Sequence, residues 1–136
     1  RSLTSSSRAL PPSKAFGAGM ITLAGTARFV SDLHLRPERP DLTLRFVNDM
    51  HLNQTMAYLT ASTLYAALFD KSPVGLPIDA ITDIRFLEDG SKTKSKDRDG
   101  NPITHRFSAS DRADLQRIAW EGYTEFQKLQ NELKSN

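Results

Sequence analysis

The stretch from Gln54 to Phe69 restricts the fold of this chain more than any other. Asn53 precedes it as an N-cap whose side-chain carbonyl can accept from the amides of the next turn, so a helix is predicted over about 54–69. Met56, Leu59 and Thr63 form one stripe; Ala57, Ala61, Leu64 and Leu68 form another. Apolar residues on both stripes predict a largely buried helix, ended by Asp70, Pro73 and Gly75. Something must cover each side. One long helix can cover one stripe; the other needs the rest of a larger domain or a protein partner. The expected interface involves Met56, Leu59, Leu64 and Leu68 and falls in the obligate size class of ~2,000 Å² or more.

The 136 residues suffice for a single domain, and 38% apolar with 25% charged content places the chain among globular ones. A formal net charge of +2 gives no polyanion signal, so no nucleic-acid partner is expected. The longest nearly uncharged run, Leu52 to Phe69, is broken by Asn53, Gln54, Thr55, Thr60, Ser62 and Thr63, which argues against a membrane span. Without cysteine, neither disulfides nor zinc–thiolate sites can form, and the redox compartment is not legible. Residues 1–14 hold five serines, three basic residues and no acid. They read as a flexible tail; the same composition suits the remnant of a mitochondrial or plastid transit peptide, and secretion stays open as well. Residues 15–136 then form one α/β domain or part of one.

Residues 15–35 fit two templates. Met20, Leu23, Ala27, Val30 and Leu33 have near-helical spacing, while Arg28 to Leu35 alternates as a strand would. Pro37 and Pro40 stop either element. Leu42, Leu44 and Phe46 alternate with Thr43, Arg45 and Val47, which predicts a strand over 42–47. A hairpin is expected at about 81–107, with Ile84, Phe86 and Leu87 on its first strand and Ile103, His105 and Phe107 on its second. Its tip, Asp89 to Asn101, is rich in charge and glycine and is expected to be solvated and mobile. A last helix is predicted over about 110–133, capped by Ser108 or Ser110, with Leu115, Ile118, Ala119, Gly122, Phe126, Leu129 and Leu133 on one core-facing stripe. Trp120 and Tyr123 beside that stripe are read as packing residues, and His105 as a structural or partly exposed histidine.

The chain contains an internal echo. Residues 28–35 read RFVSDLHL and residues 45–52 read RFVNDMHL, identical at six of eight positions. Asp-x-His on a strand puts both side chains on one face, so two copies side by side would gather Asp32, His34, Asp49 and His51 as ligands for a divalent metal. Adjacent parallel strands need a longer crossover than the proline-containing 36–44 connector, so no metal site is assigned. Phe29 to Phe46 also resembles the opening strand of metallophosphoesterases of the UDP-diacylglucosamine hydrolase type, where Asp32 and His34 would be metal ligands. That family's downstream Gly-Asp, Gly-Asn-His and paired-His segments do not occur here. The basic run Lys92, Lys94, Lys96 and Arg98 is offset by Asp89, Asp97 and Asp99, and Asp97 to Asn101 lacks the closing Glu of a calcium loop.

A longer likeness covers roughly residues 40–122. His51, Leu52-Asn53, Tyr58-Leu59-Thr60-Ala61, Tyr65 and Ser72-Pro73-Val74-Gly75-Leu76 resemble the closing block of SGNH (GDSL-type) hydrolases. Ser110-Asp111 and Leu115 to Glu121 are similar to the final helix of a subgroup, with the hairpin as an insertion. The resemblance implies the C-terminal portion of a three-layer α/β fold, with one or two strands and two long helices. It implies His51 as the base that takes a proton from a hydroxyl nucleophile. The family's carboxylate lies three residues before the histidine, a position held here by Asn48; Asp49 is next to it and is expected to project differently. The nucleophile and oxyanion blocks of the family are absent, and Ser5, Ser6, Ser7 and Ser13 carry no such motif. Two functions follow: a part of an ester or acyl hydrolase whose nucleophile lies on another segment or a partner, or a non-catalytic accessory subunit of a larger assembly that retains a degenerate hydrolase segment. Neither implies a cofactor.

Overall fold

The computed structural model describes residues 42–85, 89–92 and 95–135. The tail at 1–14, the ambiguous segment at 15–35, and Asp32 and His34 of the echo lie outside them.

Asn53 sets the start of α1, Gln54–Phe69. Its Oδ1 accepts from the Met56 amide at 3.2 Å, while its Nδ2 donates to the Thr43 carbonyl at 2.8 Å and the Arg45 carbonyl at 3.1 Å. One side chain thus caps the helix and fastens the preceding loop to it. At the other end Asp70 adopts the left-handed conformation, φ 52°, and its amide donates to the Ala66 carbonyl at 2.9 Å.

The first stripe of α1 is buried as expected: Met56 and Leu59 pack with Leu42, Tyr58, Phe107, Leu115, Ile118 and Ala119, and Thr63 is buried as well. Met56 and Leu59 are consumed by this core and are therefore not free for a partner, contrary to the expectation that they line an interface. On the second stripe Ala57, Ala61 and Leu68 are exposed and Leu64 is half-buried, so α1 is covered on one side among the described residues.

β1, Ala80–Thr82, and β2, Thr104–Arg106, pair antiparallel with Ile81 opposite His105. The expected hairpin exists, but its first strand lies earlier than predicted. The last cross-strand bond runs from the Asp83 amide to the Ile103 carbonyl at 2.9 Å; the Ile84 amide then turns back to the Thr82 carbonyl, and Ile84 is exposed. Phe86 and Leu87 lie outside the described residues. Phe107 settles the register, because its ring is buried against Tyr58, with centroids 4.7 Å apart. His105 is exposed, with its ring centroid 4.4 Å from that of Phe107.

Ser108 caps α2, Ala109–Ser135, accepting from the Asp111 amide at 3.0 Å; Ser110 lies within the helix. The two helices run in the same general direction, with Tyr58 meeting Gln116 at one end and Asp70 meeting Tyr123 at the other. A second cluster, Ala66 and Tyr123 with Ala67, Trp120 and Phe126, continues the contact. The core stripe of α2 stops there: Leu129 and Leu133, expected in the core, are 57% and 77% exposed.

The predicted 42–47 strand does not form. Leu42 and Phe46 are buried and Arg45 and Val47 are exposed, so the alternation sorts these side chains correctly. A strand also needs a neighbour to bond along its length, and here only a single bridge, Arg45 to Leu52, is made. The described part of the fold is thus a mixed α/β arrangement, and no helix in it is long and apolar enough to cross a membrane.

Candidate functional site

The 44–53 segment folds back on itself. The Phe46 amide donates to the His51 carbonyl at 3.1 Å and the Asn53 amide to the Leu44 carbonyl at 3.1 Å. Residues 47–51 form the turn between these bonds, which is where the sequence places Asn48, Asp49 and His51.

Asp49, expected to project differently from a carboxylate at position 48, faces His51. Its Oδ1 accepts from the His51 amide at 2.9 Å and contacts His51 Nδ1; its Oδ2 accepts from Arg98 Nη1. The short spacing explains the geometry: a carboxylate two residues before an amide closes an Asx-type turn, which brings the next imidazole onto the same oxygen. The bonds from the His51 ring and amide, then the Arg98 guanidinium, hold the Asp49 carboxyl well below the usual carboxylate range, against the opposing effect of burial. The His51 side chain is 67% exposed, which leaves its outer edge facing solvent.

Asn48, at the position of the family's carboxylate, is exposed and takes part through its backbone. Its amide donates to Asp99 Oδ1 at 2.8 Å, and the Val47 amide donates to Asp99 Oδ2 at 2.8 Å. Asp97 Oδ1 accepts from the Asp99 and Asn101 amides, and its Oδ2 accepts from Gln54 Nε2 at 3.3 Å. The end of the tip around Asp97–Asp99 is therefore docked and half-buried, which corrects its reading as a solvated, mobile loop. These carboxylates are occupied by N–H donors, and no group of three metal-ligating side chains occurs among the described residues. Exposed apolar residues surround His51: Val47 is 83% and Met50 80% exposed.

Arg98 and Asp99 escaped sequence reasoning, although Asp-x-Asp-Gly is a strong turn signal. The turn was legible; its partner some fifty residues away was not. Gln116 escaped as well. It is buried on α2, donates to the Tyr58 hydroxyl at 2.9 Å and the Leu76 carbonyl at 3.0 Å, and accepts from the Gly75 amide at 2.9 Å. An apolar cavity of about 190 Å³ lies beside it, lined in part by Tyr58, Ala61, Tyr65 and Ile81.

No protein-family model, curated protein or solved structure matches this chain.

Proposed function

We propose that the 45–53 loop is the histidine-base segment of an SGNH-like ester or acyl hydrolase. The nucleophile is supplied by another segment or by a partner chain. One observation carries this reading: an imidazole open to solvent on one edge has its Nδ1 against an ionised carboxylate. A neutral ring with its proton on Nδ1 leaves Nε2 free to take the proton of a hydroxyl nucleophile, and Asp49 steadies the imidazolium that results. The test is turnover of a short acyl ester by the assembled hydrolase. His51→Ala abolishes it while the chain stays folded, and Asp49→Asn lowers it by ~10²–10⁴-fold. Asn48→Asp brings no gain, because Asp49 already serves His51 and a new carboxylate would sit beside Asp99. Wild-type turnover by the His51→Ala protein removes His51 from the mechanism.

A second reading is the non-catalytic accessory subunit. It draws support from Arg98, which offsets the charge that Asp49 would lend to an imidazolium, and from the exposed Val47 and Met50 on the same loop. Its partner is a protein surface that covers this loop or the open flank of α1 at Leu64 and Leu68. An assembly whose activity survives His51→Ala but whose association fails with Met50→Asp supports this reading over the first.

A further inference from the structure

We propose that the 95–103 hairpin tip is a positioning device for His51, with Asp99 and Arg98 as its positioning residues. The proposal rests on the reading of His51 as a base. A base must hold its imidazole within about 0.5 Å of the productive position, and loops do this less well than helices or strands. Of its own the 45–51 loop has the Arg45–Leu52 bridge and the bond from Arg45 Nη1 to the Met50 carbonyl, neither of which touches the Asp49 carboxylate or the His51 ring.

The tip provides the missing constraint. Asp99 presents both carboxylate oxygens to consecutive amides, Val47 and Asn48, each at 2.8 Å. Arg98, the adjacent residue, takes Oδ2 of Asp49 and leaves Oδ1 to face the His51 ring. Asp99 thus fixes the backbone, and Arg98 fixes which carboxylate oxygen meets the imidazole.

The tip is itself built to be stiff. The Gly100 amide donates to the Asp97 carbonyl at 3.2 Å, the Asp97 amide donates to the Asn101 carbonyl at 2.7 Å, and Gly100 has φ 80°, a conformation that side chains disfavour. Its base is joined to the first turn of α1, where the buried Gln54 donates to Asp97 Oδ2 and, at 3.2 Å, to the Ile103 carbonyl. The loop is therefore held between Asn53 at one side and the tip at the other, both referred to the same end of α1.

The test uses the full 136-residue chain with ¹⁵N-labelled histidine, at alkaline pH. Ring ¹⁵N shifts, assigned with His51→Gln, report which nitrogen carries the proton. Amide exchange at Val47 and Asn48 reports the clamp. In the wild type the Nδ1–H form predominates. Asp99→Ala speeds exchange of both amides by roughly tenfold while those of α1 are unchanged, and the Nδ1–H share falls by about twofold as the ring leaves its partner. Asp99→Asn, nearly the same shape with one acceptor fewer, lies between the two. Arg98→Met also speeds these amides, but not when Asp49 is already Ala, because Arg98 acts through Asp49.

An Nδ1–H share and amide exchange unchanged by Asp99→Ala overturn the proposal. So does an effect of Arg98→Met that is the same with and without Asp49, or a wild-type ring protonated mainly on Nε2. The ring measurement needs no substrate. A shifted tautomer together with turnover that is indifferent to His51 overturns the hydrolase reading and leaves the clamp standing. Turnover that depends on His51, with a tautomer indifferent to Asp99, overturns the clamp alone.

Discussion

Gln116 and Tyr58 meet across the two helices, the amide nitrogen donating to the phenol oxygen at 2.9 Å in a buried setting. The same hydroxyl donates to the Ile78 carbonyl at 2.7 Å, and the other contacts of Gln116 hold Gly75 and Leu76. These two side chains fasten to the helices a backbone that makes few bonds of its own between α1 and β1, in a loop where Pro73 is buried and most other residues are exposed. Burial pushes the Tyr58 phenol above its ordinary range, so it stays a donor. Gln116→Leu keeps the volume and removes three partners. The expected loss is ~2–4 kcal/mol, somewhat less than the sum of the separate groups because water can reach part of the loop. Tyr58→Phe is expected to cost ~1–2 kcal/mol, and the double variant less than the two combined, since both act on one network. Urea unfolding measures all three. An additive double variant would separate the network into independent contacts.

Asn53 performs two tasks that two substitutions can separate. Asn53→Ser keeps an oxygen for the Met56 amide but loses the donor that holds Thr43 and Arg45. Asn53→Ala loses both. The cap alone is worth ~1 kcal/mol. Asn53→Ser should therefore retain α1 stability while amide exchange in 44–52 speeds up, and Asn53→Ala should add about the value of a cap to the loss. Equal exchange in the wild type and in Asn53→Ser would show that the loop does not depend on this side chain.

The ends of α1 were readable because each is decided locally: an Asn cap at one end, Asp70 with Pro73 and Gly75 beyond at the other. The final helix was readable for the same reason, to within about two residues at each end. The hairpin was legible as a hairpin, but its register depended on the burial of Phe107 against Tyr58, a contact between residues far apart in sequence. The loop before α1 misled because alternation of Leu42, Leu44 and Phe46 marks which side chains are buried and says nothing of a pairing strand. In the candidate site His51 and Asp49 stood out from the sequence, but the family's spacing of three drew the eye to Asn48, and the contact at a spacing of two depends on the turn. Arg98 and Asp99 sit in a legible turn, but nothing local points to their partners, since what matters is where the tip lands.

Tyr123 predicts an alkaline limit to stability. Its hydroxyl donates to Asp70 Oδ1 at 2.6 Å. Burial, then the Asp70 bond and charge, push the phenol from 10.0 to about 12. The raised value means that the fold favours the protonated phenol. This contribution is complete below pH about 10 and is lost as pH rises towards about 12. Tyr123→Phe should remove part of the fall in urea midpoint over that window, with Tyr58 supplying a further part. Asp49 has the opposite sign: its lowered value gives stability that is present above the ordinary carboxylate range and is lost on acidification. Asp49→Asn should flatten the acid side. Parallel wild-type and variant curves on either side would contradict the corresponding assignment.

Leu115 and Leu133 occupy the same stripe of α2 and should answer very differently to truncation. Leu115 is fully buried in the core cluster that includes Met56, Leu59, Phe107 and Ile118. Leu115→Ala removes those contacts and leaves a cavity that neighbouring helices cannot close, at a cost of ~2–5 kcal/mol. Leu133 is 77% exposed and lies seven residues, about two helical turns, beyond Phe126, the last residue of the stripe packed on the core. Leu133→Ala should change stability by no more than about 0.5 kcal/mol, as surface substitutions do. Leu129→Ala should behave in the same way, with a slightly larger loss because Leu129 is the less exposed of the two. Urea unfolding of the three variants decides the matter. A cost at Leu133 comparable to that at Leu115 would mean that a further surface packs on the end of α2, either residues 1–41 of this chain or a second protein. Repeating the measurement over a hundredfold range of concentration separates these: a partner copy makes the cost depend on concentration, and a segment of the same chain does not.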